Sequence, residues 1–361
     1  MVKVFLSNRR NRLSRAMNLH WPTNMVFRTA LLCFCLLGAQ NTALRAEPLL
    51  LPTSNRALFE PGGEERYFVG TVGKSWSSGT FGCVRSNGRQ MHEGLDIRAT
   101  EWDKRGEPTD PVLATADGEV VYINSRSALS NYGIYLILRH RIDGLEIYSL
   151  YAHLARLQPG LVTGQKLKAG DPVAVMGRTA NTKEGIARDR AHVHFELNLF
   201  VNDRFTEWHK KTFPGERNDH GDWNGQNLLG IDPRLALTAS RTEGAQFNLV
   251  RLIQSQPELC RVVVKKTNFP WLKRYQCLIK PNPLAEKDGV AGYEIRLNFN
   301  GLPVELIPRA ASELKKGPKI QLLSVNESEY RKNPARKLVS KSGSRWQLAS
   351  NGIHLLNLIT F

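Results

Sequence analysis

The chain has 361 residues, which is long enough for two domains that each bury a hydrophobic core. Its hydrophobic fraction of 41% and its charged fraction of 23% exclude an intrinsically disordered protein. The formal net charge of +17 favours anionic surroundings such as nucleic acid, anionic lipid or an acidic polymer, and charge alone does not discriminate among them.

Residues 1–46 have the layout of a secretory signal peptide. A basic stretch precedes the apolar run 30–39, ALLCFCLLGA, and we expect cleavage after Ala39 or Ala46. The run is too short for a transmembrane helix, which needs about 20 apolar residues, so we expect no stable membrane span in the mature protein. Without this segment, which holds seven basic residues and no acidic one, the chain carries +10. We predict an exported protein of the periplasm or the extracellular cell envelope.

Export would leave three cysteines in the mature chain, because Cys33 and Cys35 lie in the apolar run. In an oxidising compartment Cys260 and Cys277 are natural partners, since the residues between them resemble two strands around a proline-containing loop. We therefore expect a bridge between these two residues. Cys83 is then left over and is expected to be a buried, inert thiol.

A β-rich pattern follows the polar, proline-containing lead of residues 47–65. Short runs that alternate or remain apolar are separated by turn-forming residues: PVLATADGEVVYIN, GIYLILRH, LEIYSLYAHL and DPVAVMGRT. Residues 202–227 have no periodicity and many turn formers, which predicts a long surface loop. LLGIDPR, residues 228–234, then resembles the end of a domain. The pattern predicts a mainly β domain over residues 66–235.

Residues 236–361 are predicted to form a second, smaller β-rich domain. Asn300 and Gly301 sit between alternating apolar residues, which is a strong hairpin signal. RWQLAS and IHLLNLITF are predicted as further strands, with the charged segment NESEYRKNPARKLVSKSGS as a solvated loop between them and the hairpin. No recognisable chemistry appears in this domain, and its role stays open.

Two short motifs place histidines and a carboxylate where one centre could gather them. In AHVHFEL, residues 191–197, His192 and His194 would project from one face of a strand about 7 Å apart. In MHEGLDI, residues 91–97, Gly94 permits a sharp turn between His92 and Asp96. Histidine nitrogens and a carboxylate oxygen form a standard catalytic zinc set, which leaves a fourth tetrahedral position for water. A structural zinc site would prefer thiolates, and the cysteines here lack that spacing.

A further histidine, His153, ends the predicted strand YSLYAHL. At this point the sequence resembles the lysostaphin-type, LytM-like zinc endopeptidases, a family that cleaves peptide bonds of bacterial peptidoglycan. The resemblance covers roughly residues 70–200 and rests on an ordered set of blocks: FGCVR, HEGLD, PVLATADGEVVYI, YGIYLILRH, YSLYAHL, LKAGDPVAVMGRT and HVHFEL. It implies an antiparallel-sheet LytM-like peptidase domain and one zinc ion per chain.

The resemblance also implies roles for the five residues. Matched to the family pattern, the zinc ligands are His92, Asp96 and His194. The catalytic pair is His153 and His192, which would lie beside the metal and handle the proton of its water. Which of the two acts as the base stays open.

The chain departs from the family pattern at several places. The segment EWDKRGEPTD, residues 101–110, is inserted between two blocks, and Ala191 stands where members often have proline. FGCVR holds one extra residue before Arg85, and residues 86–91 lack the tyrosine that some members place before the first histidine. These departures concern the rim of the groove, so they bear on substrate preference more than on catalysis.

We therefore predict an exported zinc endopeptidase whose partner is peptidoglycan. The alternative is a non-catalytic LytM-like regulator of other cell-wall hydrolases, but such members typically lose ligands and all five positions are filled here. A nucleic-acid-binding protein is the third class, and it is not expected because no basic helix or aromatic-basic motif supports it. The bond cleaved, the oligomeric state and any latency stay open.

Overall fold

A computed structural model describes residues 49–85, 90–182, 185–333 and 336–361. These residues belong to one compact unit that spans residues 44–361. The predicted signal peptide, with Cys33 and Cys35, lies outside the described residues. None of the helices in the described part of the chain combines the length and the apolarity that crossing a membrane requires.

The first part of the chain is built from strands, as the sequence predicts. They are β1 (Val84–Arg85), β2 (Gln90–Met91), β3 (Leu95–Arg98), β4 (Pro111–Leu113), β5 (Gly118–Asn124), β6 (Ile134–Ile142), β7 (Leu145–Leu154), β8 (Arg156–Leu157), β9 (Lys166–Leu167), β10 (Pro172–Val175), β11 (His192–Phe200) and β12 (Leu228–Ile231). The largest sheet has the antiparallel order β12-β11-β7-β6-β5-β9, and β3 pairs with the free end of β11. The mainly antiparallel β fold is thereby confirmed.

The later part combines strands with short helices. Its strands are β13 (Cys260–Val264), β14 (Gly292–Leu297), β15 (Pro303–Arg309), β16 (Ile320–Val325), β17 (Val339–Ser342) and β18 (Arg345–Leu348). The helices of the described chain are α1 (Glu64–Tyr67), α2 (Phe205–Thr212), α3 (Pro233–Glu243), α4 (Leu249–Gln254), α5 (Pro270–Arg274), α6 (Pro283–Asp288), α7 (Glu327–Lys332) and α8 (Ser350–Ile359). The predicted division into domains at residue 235, next to the start of α3, stays a prediction.

The β6–β7 hairpin forms the centre of the main sheet. Asp143 and Gly144 connect the strands with φ angles of 52° and 77°, the left-handed conformation that a two-residue hairpin turn requires. Leu136 and Leu138 of β6 face a buried core, which continues through Leu237 of α3 to Val304 of β15. The opposite face carries a smaller aromatic cluster, so the sheet is covered on both sides along much of its length.

Four sequence predictions for the loops and the later domain are wrong. The segment 326–344 is not a solvated loop, because it contains helix α7 and strand β17 and buries Leu338 and Val339. Residues 202–227 are not a continuous loop, because Phe205, Trp208 and His209 bury one face of helix α2. The run IHLLNLITF lies mostly in helix α8 and is not a strand; a short apolar run fits either structure. Cys260 and Cys277 are free thiols, since Cys260 is in β13 but Cys277 lies in a 3₁₀ turn and not in a paired second strand.

One buried histidine in the sheet makes stability sensitive to acid. His140 of β6 is 1% exposed, with Nδ1 2.9 Å from the Asp117 carbonyl and Nε2 2.7 Å from Ser149 Oγ. Burial lowers its pKa from 6.5 to about 4. The folded state therefore binds fewer protons than the unfolded state, and stability is lost as the pH falls from 6.5 through 4.

We expect the free energy of unfolding of the wild-type protein to fall by roughly 2–3 kcal/mol more than that of His140→Gln between pH 7 and pH 4.5. Urea unfolding of both proteins at the two pH values measures the difference. An identical pH dependence in the two proteins would show that His140 titrates normally in the folded state.

Candidate metal centre

The pairing of β3 with β11 brings the two histidine motifs together. Asp96 of β3 lies directly opposite His194 of β11 in this antiparallel pair. Gly94, just before β3, packs so closely that a Cβ atom there would be 2.3 Å from the Phe195 carbonyl oxygen. Glycine is therefore needed at this position because two backbones approach each other, which adds a reason to the turn that the sequence suggested.

His92, Asp96 and His194 converge on one point. His92 Nε2 lies 3.0 Å from Asp96 Oδ1 and 3.1 Å from His194 Nδ1, and His194 Nδ1 lies 3.0 Å from Asp96 Oδ1. Ligand atoms around a tetrahedral zinc ion are about 3.3 Å apart, so the three atoms form one face of a tetrahedron of nearly the right size. All three side chains are buried. The nitrogen and oxygen donors fit zinc, and these are the residues that would hold it.

Hydrogen bonds behind the two histidines orient their rings. His92 Nδ1 lies 2.9 Å from the Thr80 carbonyl oxygen, and His194 Nε2 lies 2.8 Å from Glu196 Oε1. Each of these nitrogens carries a proton to donate, which turns the other nitrogen of each ring toward the shared point. Glu196 is itself fixed by the hydroxyl of Tyr132 at 2.6 Å and the amide of Asn198 at 2.7 Å. Carboxylate and carbonyl partners of this kind are typical of histidines that bind metals.

The electrostatics at this point favour a cation. Burial opposes the charged forms of Asp96 and His194, but their mutual contacts outweigh it. The surrounding histidines hold the pKa of Asp96 well below its usual value. Hydrogen bonds to Asp96 and Glu196 raise the pKa of His194 to about 10. The centre thus keeps a proton in the absence of metal, and a metal ion would have to displace it.

Arg85 joins the centre despite the altered spacing of its motif. Its Nη2 donates to Asp96 Oδ2 at 2.7 Å and to the Ser78 carbonyl oxygen at 2.6 Å. This contact occupies the carboxylate oxygen that does not face the histidines. Arg85 therefore fixes which oxygen of Asp96 is presented to a metal.

His153 and His192 lie beside the three clustered residues. Their ring centroids are 4.9 Å apart, and His192 Nε2 is 3.4 Å from Asp96 Oδ1. His153 Nδ1 donates to the Thr179 carbonyl at 2.8 Å, and His192 Nδ1 donates to the Arg190 carbonyl at 2.6 Å. Burial lowers the pKa of both imidazoles. Both rings are therefore neutral at pH 7, with Nε2 as the basic nitrogen.

His153 occupies a strained backbone conformation. Its φ angle is 61°, which is uncommon for a residue other than glycine. The amide of His153 donates to the Tyr132 carbonyl oxygen at 2.8 Å, which holds this conformation at the end of β7. Strain of this kind is often found where a side chain must take a fixed direction.

The later part of the chain contacts the segment behind the candidate metal centre through the β14–β15 turn, residues 298–302. The ring of Phe299 packs against Phe81 at 6.1 Å, and Asn300 Nδ2 donates to the Gly230 carbonyl at 2.8 Å. Phe81 follows Thr80, whose carbonyl accepts from His92. This hairpin, which the sequence predicted from Asn300 and Gly301, therefore supports the segment behind one candidate ligand.

All five residues singled out in the sequence are brought together, and several others are added. Glu196 lies two residues after His194 on the same strand face, so the strand periodicity of HVHFEL could have indicated it. Tyr132, Thr80 and Thr179 had no signal of their own, because each contributes through a contact with a distant part of the chain. Two histidines and a carboxylate are the donor set of a catalytic zinc site, and an adjacent histidine pair suits proton transfer beside it.

Comparison with known proteins agrees with a site of this kind. Residues 90–205, which include all five residues, match the model of peptidase family M23. The resemblance to LytM-like peptidases is thereby confirmed for this part of the chain. A comparison with curated proteins finds no match.

Solved structures with similar folds include three peptidases. A zinc-containing peptidase from Vibrio cholerae has 20% identity and a TM-score of 0.27, over 42% of this chain and 37% of its own. The catalytic domain of lysostaphin from Staphylococcus simulans has 18% identity and a TM-score of 0.27, over 48% and 88%. A glycyl-glycine endopeptidase LytM from Ruminococcus gnavus, described as putative, has 22% identity and a TM-score of 0.27, over 43% and 49%. The chain thus spans about a third of the length of the Vibrio cholerae peptidase.

Proposed function

We propose that this protein is an exported zinc endopeptidase that hydrolyses peptide bonds in peptidoglycan stem peptides or cross-links. The observation that carries the proposal is the combination of three buried candidate ligands with two neutral histidines that do not belong to the ligand triangle. A zinc ion bound by His92, Asp96 and His194 would polarise the scissile carbonyl and lower the pKa of water.

The chain's own residues provide the proton transfers. A peptide carbonyl is attacked by water only if a base accepts a proton, and the leaving amine must then receive one. His153 and His192 are suited to both steps, because each ring is oriented by a carbonyl at Nδ1, which leaves Nε2 as the basic nitrogen. Arg85 and Glu196 hold Asp96 and His194 in place, so the ligand triangle is organised before substrate arrives.

Peptidoglycan as the substrate rests on the family match and on charge. The mature chain would carry +10, which suits the carboxylates and anionic polymers of a cell envelope. Export rests on the signal-peptide layout of residues 1–46 and matches a substrate outside the cytoplasm. A non-catalytic regulator is the second candidate, but it would not need the paired imidazoles.

Digestion of purified peptidoglycan sacculi tests the proposal. We expect the zinc-loaded protein to release soluble muropeptides, a chelator to abolish this release, and added zinc to restore it. A fully zinc-loaded protein that releases nothing, yet stimulates a second wall hydrolase added to the same sacculi, would support the regulatory alternative.

A further inference from the structure

The inserted segment, residues 101–110, forms a well-organised loop that contacts the segment before β11. Trp102 and Pro108 form an isolated antiparallel β-bridge. Asp103 Oδ1 accepts hydrogen bonds from the amides of Arg105 and Glu107 at 2.8 and 2.9 Å. At its base the carboxylate of Asp110, which is 0% exposed, accepts from the Thr100 amide at 2.7 Å. This hydrogen bonding gives the loop a defined shape that presents Glu107.

Glu107 is bound by two arginines from another part of the chain. Its carboxylate accepts from Arg178 Nε at 2.8 Å and Arg178 Nη2 at 3.0 Å, and from Arg188 Nε at 2.9 Å. The hydrogen bonds from Arg178 and Arg188 lower the pKa of Glu107 to about 2. One carboxylate therefore connects two arginines that lie ten positions apart in sequence.

These arginines belong to the two arms of the loop before β11, residues 177–182 and 185–191. The arms also bind each other, because the Ile186 amide donates to the Arg178 carbonyl at 2.8 Å and Arg178 Nη1 donates to the Ile186 carbonyl at 3.1 Å. Glu107 thus fixes both arms from outside, on the side of the inserted segment.

Each arm carries the carbonyl that orients one of the paired histidines. Thr179, next to Arg178, accepts from His153 Nδ1, and Arg190, two residues after Arg188, accepts from His192 Nδ1. Thr179 is locked further, since its Oγ1 donates to the Leu154 carbonyl at 2.8 Å and the Ile134 amide donates to this Oγ1 at 2.9 Å. Gly133 permits the contact, because a Cβ there would lie 2.4 Å from Thr179.

We infer that Glu107 is a positioning residue. It fixes the orientation of the His153 and His192 rings through the two arms that carry Arg178 and Arg188. The inference rests on the proposed function for its effect on turnover, but its effect on the two rings is independent of substrate. Glu107 contacts neither the ligand triangle nor the two histidines directly. Its loss is therefore expected to loosen the two carbonyl acceptors and to leave the candidate metal ligands in place.

The test compares Glu107→Gln with a matched control, Glu207→Gln. Glu207 is also a surface carboxylate bound by two basic side chains, Arg204 at 2.6 Å and Lys211 at 2.7 Å. It lies on α2 and binds neither arm. We expect Glu107→Gln to lower kcat by about 10- to 100-fold with KM within about twofold, since small displacements of catalytic groups have effects of this size. Glu207→Gln should match the wild type in both constants.

A second readout does not depend on activity. Long-range ¹⁵N–¹H NMR spectra of the histidine rings should show Nδ1-protonated His153 and His192 in the wild type and in Glu207→Gln. In Glu107→Gln the two rings should show mixed tautomers or exchange broadening at unchanged zinc content. Arg178→Lys, which keeps the charge but loses the two-pronged contact, should behave like Glu107→Gln.

Each outcome decides the inference. Unaltered histidine signals in Glu107→Gln, or a kcat equal to that of the wild type, would overturn it. The inference would also be overturned if the fall in kcat were fully explained by lost zinc or by a larger unfolded fraction, because Glu107 would then act through folding. If the wild type cleaves no peptidoglycan, the proposed function fails, and the NMR comparison still decides the role of Glu107.

Discussion

Replacing His153 or His192 with alanine is expected to lower the rate of peptidoglycan cleavage by about 10²- to 10⁴-fold. This is the usual contribution of general acid or base catalysis by a positioned side chain. Neither imidazole is a member of the ligand triangle. Each ring donates from Nδ1 to a loop carbonyl, and His192 also lies beside Asp96. Folding and zinc content should therefore stay close to those of the wild type. Initial rates of muropeptide release measure the effect.

The two variants also separate an enzyme from a regulator. A regulator needs the surface around the groove but has no use for proton transfer, so it would tolerate both substitutions. If both variants, folded and zinc-loaded, function in cells as well as the wild type does, the histidine pair does not carry the chemistry and the regulatory alternative is favoured.

Replacing His194 with alanine is expected to remove nearly all of the bound zinc. His194 would supply one of three protein ligands, and the alanine variant would leave only His92 and Asp96. The wild type should contain about one zinc ion per chain, and His192→Ala should contain as much as the wild type. Inductively coupled plasma mass spectrometry of the dialysed proteins gives these contents directly.

The choice of variants guards against an ambiguous result. Removing His194 leaves the carboxylates of Asp96 and Glu196 buried without their shared partner, which destabilises the fold. Asp96→Asn, which keeps the shape of the side chain, serves as a second ligand variant, and near-ultraviolet circular dichroism reports the folded state. Equal zinc content in His194→Ala and His192→Ala would refute the ligand assignment.

The residues of the centre were predictable from the sequence because short-range geometry places them. In HVHFEL the strand period puts His192 and His194 on one side, and in HEGLD the glycine allows His92 and Asp96 to face one point. The resemblance to a family then divided the five residues into ligands and a catalytic pair. The structure brings all five together, and the division stays a prediction for the zinc and rate measurements.

What the sequence missed depends on contacts between distant segments. Glu107 and Arg178 are 71 positions apart, and Tyr132 and Glu196 are 64 positions apart, so no local pattern connects them. The wrong predictions have local causes. The apolar run of α8 has no period that distinguishes a strand from a helix, and the turn formers around α2 conceal its one buried face. The bridge between Cys260 and Cys277 was expected because the residues between them resemble two strands, although a bridge requires specific three-dimensional geometry.

The proposed function requires that this centre hydrolyses a peptide bond of peptidoglycan. Its most direct test is digestion of a defined cross-linked muropeptide by the zinc-loaded protein in H₂¹⁸O, followed by tandem mass spectrometry of the products. We predict two fragments, one with a new amino group and one whose new carboxyl group carries a single ¹⁸O atom. Recovery of only the intact muropeptide, or products without a new ¹⁸O-labelled carboxyl group, would contradict the proposed function.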